Sequence, residues 1–228
     1  MFVEMVAWAA EEGVDFVIAE TLYYFAEALL TLQTIREAGL EAAVTPGLME
    51  KGILNDGVQA EDACARQAAE GASVVGLNCF RGPETMMPYL LKIREKVQIP
   101  VDGLPVPYRT HPTFFNLPDP GNRAELPHPT PFSTALDPLL CNRYEIAKWG
   151  KSAFERGIRC LGLCCGATLV FYAAWLKRWA KPRRFQAIPW TCPGISSSER
   201  KAIPSDRLPC IWANLKIAQI WLNFSQVS

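Results

Sequence analysis

Val14-Asp15-Phe16-Val17-Ile18-Ala19-Glu20, a helical pattern, and then Glu41-Ala42-Ala43-Val44-Thr45 form the stretch whose reading decides the fold. Val14 to Ala19 is short, continuous and partly β-branched, as a strand buried on both faces should be. From Leu22 to Ala38 the apolar residues Leu22, Phe25, Leu29, Leu32 and Ile35 recur every three or four positions, which predicts an amphipathic helix closed by Gly39. Glu41 to Thr45 then reads as a second strand. Strand, helix and strand within about 30 residues make a parallel βαβ unit.

The same alternation extends in both directions. Upstream, Val3 to Glu12 has helical spacing and Gly13 closes it. Downstream come a Gly- and Asn/Asp-rich loop to Gly57, a helix over Ala60 to Glu70, and a third strand over Ser73 to Asn78. Pro83 stands in the first turn of a helix over Glu84 to Lys96, and Ile99 to Leu104 reads as a fourth strand. Between Pro100 and Pro138 the pattern lapses, and ten of the 18 prolines fall there, which marks a functional loop rather than a packed element. A helix over Asn142 to Arg156, a fifth strand over Arg159 to Leu163 and a helix over Thr168 to Ala180 complete the series. The chain therefore divides into an α/β domain over 1–185 and an extension over 186–228. Within the extension, Ile195 to Arg200 is polar and linker-like, whereas Ile211 to Phe224 is apolar and carries Trp212, Leu215, Ile220 and Trp221. That apolar stretch reads either as a helix packing on its own domain or as a segment joining subunits.

Composition excludes several classes of function. Acids and bases balance at 23 each, which argues against a nucleic-acid footprint or a polybasic membrane surface. No run approaches the roughly 18 apolar residues that span a bilayer. The first residues lack a basic segment and carry Glu4, Glu11 and Glu12, unlike a secretory signal. Eight cysteines without even spacing suit a reducing compartment, so the cytosol is the expected location.

Three cysteines stand apart. Cys164 and Cys165 follow the apolar run Ile158-Arg159-Cys160-Leu161-Gly162-Leu163, and Cys79 ends the run Ser73-Val74-Val75-Gly76-Leu77-Asn78. Gly162 and Gly166 allow the bend that turns two adjacent thiols toward one point. Soft thiolates gathered there would suit zinc. Buried cysteines that only pack are the competing explanation. Cys64 on an apolar helix face and Cys160 within a strand read as structural, and Cys141, Cys192 and Cys210 as loop thiols. His111 and His128 lie in the proline-rich loop and read as solvated residues, although either could be a metal ligand.

Gly76-Leu77-Asn78-Cys79 and Gly162-Leu163-Cys164-Cys165-Gly166 together resemble the zinc signature of the homocysteine S-methyltransferase family. Val14 to Glu20 is similar to that family's apolar strand ending in an acid, and the surrounding sequence is most similar to the betaine-using branch. The resemblance covers roughly residues 1 to 185. Leu163 departs from it, standing where the family usually has a second glycine. The resemblance also implies three strand–helix units ahead of the one that opens here.

What this implies is specific. The fold would be a partial (β/α)8 TIM barrel of about five strand–helix units, where an open parallel sheet is the alternative. Such a piece exposes two strand edges. Zinc would be held by Cys79, Cys164 and Cys165, whose sulfurs should converge to roughly 4 Å from one another. Glu20 would receive the amino group of homocysteine; from the residues alone it reads as a surface acid capping the next helix. Asn78 would orient a loop or ligand, or satisfy the backbone of a turn. The substrates would be homocysteine and betaine or a sulfonium such as S-methylmethionine, and the extension would join subunits. A chain of five units should bind zinc weakly and methylate poorly. Two other functions stay open: a metal-binding paralogue that pairs with longer subunits, and a metal-free α/β domain.

Overall fold

A computed structural model describes residues 1–48, 52–110, 136–168 and 170–171, together with the backbone of a strand at 217–221. In chain order the elements are α1 (Phe2–Glu11), β1 (Phe16–Leu22), α2 (Phe25–Glu37), β2 (Glu41–Pro46), α3 (Ala60–Ala69), β3 (Val74–Asn78), α4 (Pro83–Lys96) and β4 (Val101–Leu104). A 3₁₀ turn at Asp137–Leu139, α5 (Arg143–Glu155), β5 (Cys160–Leu161) and β6 (Ile217–Trp221) follow. The strands form one sheet in the order β5-β4-β3-β2-β1-β6, every pair parallel. An all-parallel order with a helix between successive strands from β1 to β5 is the arrangement read from the sequence, and it is compatible with part of a barrel.

The period-2 alternation of the strands sorts their side chains between two faces. Val17, Ala19, Ala42, Val44, Val75, Leu77 and Val101 pack with residues of the helices into the main core. Phe16, Ile18, Ala43 and Val74 form a smaller cluster on the other face. By the same alternation Glu20, Thr45 and Asn78 belong to that second face, and all three are buried. The sheet therefore carries its buried polar groups opposite its helices, where the interior of a barrel would lie.

Several sequence expectations change. β1 runs on to Leu22 and α2 begins only at Phe25, because a register shift between Glu20 and Leu22 keeps the chain extended. Glu20 consequently lies within a strand at 5% exposure and caps no helix. The fifth strand is only Cys160–Leu161, although Arg159 N–H still donates to Val101 O, Gly162 N–H to Gly103 O and Cys164 N–H to Pro105 O, so the chain follows β4 as far as the cysteine pair. The apolar tail contributes a strand, Ile217–Trp221, where a helix was one expectation, and this strand pairs with the outer edge of β1. The two outer strands of the sheet are therefore β5 and β6, so two edges remain as expected, one of them formed by the tail instead of by β1. Cys141, expected as a loop thiol, is buried with Ile146 and Phe171. The proline-rich loop with His111 and His128, most of the helix expected over Thr168 to Ala180, Cys192 and Cys210 lie outside the described residues.

Candidate metal centre

Cys79 directly follows β3, and Cys164 and Cys165 stand three and four residues past the end of β5, so all three sit at the carboxyl end of the sheet. Their sulfurs lie within 4.8 Å of one another, with 3.7 Å from Cys79 to Cys165 and 3.7 Å from Cys164 to Cys165. The convergence read from the sequence is present, slightly wider than the roughly 4 Å of a closed thiolate set. Cys79 is 9% exposed, Cys164 is half-buried and Cys165 is exposed, so the group opens toward solvent on one side.

Local backbone geometry makes the convergence possible. Cys79 and Phe80 have φ of 60° and 57°, a left-handed pair that turns the chain sharply as it leaves β3. Arg81 N–H closes this turn on Cys79 O, and Cys79 N–H donates to Leu104 O at 2.9 Å. On the other strand, Gly166 has φ +89°, and its missing side chain leaves room for the Tyr108 hydroxyl. Gly162 is needed for a different reason than the bend expected of it. Its backbone has no positive φ, but a Cβ there would collide with the Leu104 side chain. Leu163, the departure from the family pattern, packs against the cluster of Cys141, Ile146 and Phe171.

A third strained residue stands beside Glu20. Thr21 has φ +62°, unusual for a β-branched side chain. Asn78 holds it: Thr21 N–H donates to Asn78 Oδ1 at 2.9 Å, and Asn78 Nδ2 donates to Thr21 Oγ1 at 2.6 Å. From a fully buried position Asn78 thus satisfies the backbone at the irregularity in β1. Thr21, Cys79 and Phe80 are the only non-glycine residues with positive φ among those described. Such conformations cost on the order of 1–3 kcal/mol each and gather at functional sites. All three border the sulfurs or Glu20.

Proton sharing sets the charge of the group. Cys165 is held down to about 3 by hydrogen bonds first from Cys164 and then from Cys79. Cys164 is pushed up by its hydrogen bonds to Cys165 and Cys79, and then by burial. For Cys79 a hydrogen bond with Cys164 lowers the pKa, but the bond to Cys165 and burial outweigh it and raise the thiol to about 12. Sharing of hydrogen bonds within the trio thus favours loss of a first proton and resists loss of the others. Tyr23, which the apolar spacing places in a helix but which lies between β1 and α2, is close enough for Cys79 and Cys165 to add to burial in raising its phenol. Its ring packs on Phe80 with centroids 5.4 Å apart. Nothing in the local pattern signals this, because Tyr23 owes its place to the register shift after Glu20. Cys64 is fully buried, donates to Gly76 O and belongs to the core.

Three thiols converge at the carboxyl ends of a parallel sheet, with one side open, a donor set that could hold a soft metal on a barrel-type α/β scaffold. The chain belongs to the homocysteine S-methyltransferase family, whose model matches residues 1–170. It is 32% identical over 156 residues to betaine–homocysteine S-methyltransferase 1 of Xenopus laevis, covering 68% of this chain and 38% of that protein. It is 33% identical over 163 residues to S-methylmethionine–homocysteine S-methyltransferase BHMT2 of Pongo abelii, covering 72% of this chain and 43% of that one. The chain thus spans about two fifths of the length of these relatives. Among solved structures, the metallated form of the homocysteine methyltransferase MmuM from Escherichia coli matches with TM-score 0.55 and 18% identity, over 78% of this chain and 52% of that chain. That likeness bears on the fold alone. No helix among the described residues is long and apolar enough to cross a membrane.

Proposed function

We propose that this chain carries the thiol-binding half of a zinc-dependent enzyme that moves a methyl group from betaine, or from a sulfonium such as S-methylmethionine, to homocysteine, giving methionine. The observation that carries this reading is the convergence of Cys79, Cys164 and Cys165 at the same end of the sheet as buried Glu20. The donor set fits zinc: three sulfurs within 4.8 Å suit a soft cation and leave a fourth position open. When bound, zinc supplies Lewis-acid stabilisation of a thiolate, so a substrate thiol becomes nucleophilic at neutral pH.

The chain's own residues do the remaining work. Cys79, Cys164 and Cys165 hold the metal, and Glu20 accepts the substrate's amino group. Asn78 acts one step back, fixing Thr21 and with it the end of β1 that presents Glu20. The substrate sulfur attacks the methyl carbon, a C–S bond forms, and the bond from that carbon to the donor nitrogen or sulfur breaks, its electron pair staying with the departing donor. No proton moves in that step, so alignment matters more than acid–base help. Free thiols at this centre suit the reducing cytosol. The test is homocysteine binding to the zinc-loaded chain by calorimetry, with methionine formation from each donor as a second readout. Binding should weaken at least about tenfold in Glu20→Gln, in line with loss of a charged hydrogen bond. Equal binding by the zinc-loaded chain and Cys79→Ala would overturn the reading.

A further inference from the structure

Both arms of the cysteine trio hang on one stretch of chain. Segment 104–108, which continues β4, accepts Cys79 N–H at Leu104 O and donates Val106 N–H to Arg81 O on one side. On the other side Pro105 O accepts Cys164 N–H. Tyr108 ends this stretch and meets each arm at a glycine. A Cβ on Gly82, three residues past Cys79, would collide with the Tyr108 carbonyl, and one on Gly166, next to Cys165, would collide with the Tyr108 hydroxyl. Gly166 is also favoured by its φ of +89°. Gly82 has no such reason: φ −75° and ψ 176° are open to other residues, so Tyr108 and, less closely, Thr110 are what a side chain there would meet. Tyr108 is itself fixed from outside. It forms an antiparallel bridge with Leu140, and Glu145 holds the guanidinium of the next residue, Arg109, with both carboxylate oxygens.

We propose that Tyr108 is a positioning residue of the metal centre: wedged between Gly82 and Gly166, it sets the distance between Cys79 and the Cys164–Cys165 pair. It acts through the two turns that carry the thiols rather than on the metal. Ligand distances in a metal site must be right to about 0.2 Å, and groups standing behind the ligands commonly govern metal affinity by about 10- to 100-fold. The proposal rests on the reading of the trio as a zinc site, and one arm of its test needs no metal.

The first arm is zinc affinity of the reduced full chain, by competition with a chromophoric chelator. Tyr108→Ala should bind at least about tenfold more weakly, whereas Tyr108→Phe, which keeps the ring edge against Gly166, should bind like the unmodified chain. Gly82→Ala, which drives a methyl against the Tyr108 carbonyl, should also weaken zinc at least about tenfold, and it serves where Tyr108→Ala does not fold. Gly39→Ala is the control: its φ is +77° and nothing stands within 4 Å of the added methyl, so it should lower stability and leave zinc alone. The second arm uses the zinc-free chain carrying Cys164→Ala. Dibromobimane, alkylated by two neighbouring thiols with loss of both bromides, should join Cys79 to Cys165, whose sulfurs are 3.7 Å apart, and mass spectrometry reads the yield. Adding Tyr108→Ala or Gly82→Ala should lower that yield severalfold. An unchanged yield in both would overturn the inference whether or not the chain holds zinc, as would unchanged zinc affinity in both. Absence of zinc from the unmodified chain would instead count against the zinc reading, and the cross-link would still decide the role of Tyr108.

Discussion

Hydrogen bonding within the trio lowers the Cys165 thiol, while hydrogen bonds and burial raise Cys79 and Cys164. Metal ligation needs all three deprotonated. Zinc binding at neutral pH should therefore release about two protons, seen as a dependence of the binding heat on the ionisation enthalpy of the buffer. The sign follows: protons compete with the metal, so affinity should rise with pH through the neutral range. Release of no protons would mean that the thiols are not the ligands. Asn78 offers a test of the strained turn. Asn78→Ala orphans the half-buried Thr21 N–H, which should cost about 1–3 kcal/mol in urea unfolding. Zinc stoichiometry should survive, because Cys79 keeps its own bond to Leu104 O. Cys64→Ala should leave zinc untouched and act only through packing, as a small loss of stability.

At the scale of elements, the N-terminus of α5 is tied to the segment that follows β4. Asn142 caps the helix by accepting from Tyr144 N–H and Glu145 N–H, while Glu145 accepts from Asn142 N–H in return. Glu145 also holds Arg109 with both carboxylate oxygens. Asn142→Ala should cost about 1 kcal/mol, read from the thermal midpoint. Glu145 is held below the usual carboxylate range, first by the Asn142 N–H and then by Arg109. Its contribution is thus present above the ordinary carboxylate pKa and is lost as pH falls through the lower folded value. Acid titration of stability should show a loss below roughly pH 4 that is smaller in Glu145→Gln; identical acid limbs would contradict it. The helices and strands that bury a periodic face were legible in the sequence, as α3 and β2 illustrate. The trio was legible too, because each thiol directly follows an apolar run. What escaped depends on partners distant in the chain. Thr21 is bent by Asn78, Tyr23 is carried to the sulfurs by that bend, and β6 is a strand because β1 offers it an edge.

For the whole molecule, the tail strand alters the expected balance. Five strand–helix units alone would leave β1 open beside Glu20, and the low zinc affinity and poor turnover expected from the sequence rested on that gap. With β6 in place the edge of β1 next to Glu20 is paired, and β5 and β6 are the outer strands among the described residues. The trio spans β3 and the segment after β5, so its integrity depends on the ladder of β3, β4 and β5 rather than on the far edge. Metal binding should accordingly survive changes to the tail that disturb Glu20. The central claim is that these three thiols form one zinc site. Competition of the reduced full chain against a chromophoric zinc chelator tests it most directly, comparing the unmodified protein with Cys165→Ala. The account predicts one zinc per chain in the first and none held stoichiometrically in the second, with the helical circular dichroism of the two unchanged. One zinc per chain in both would contradict it.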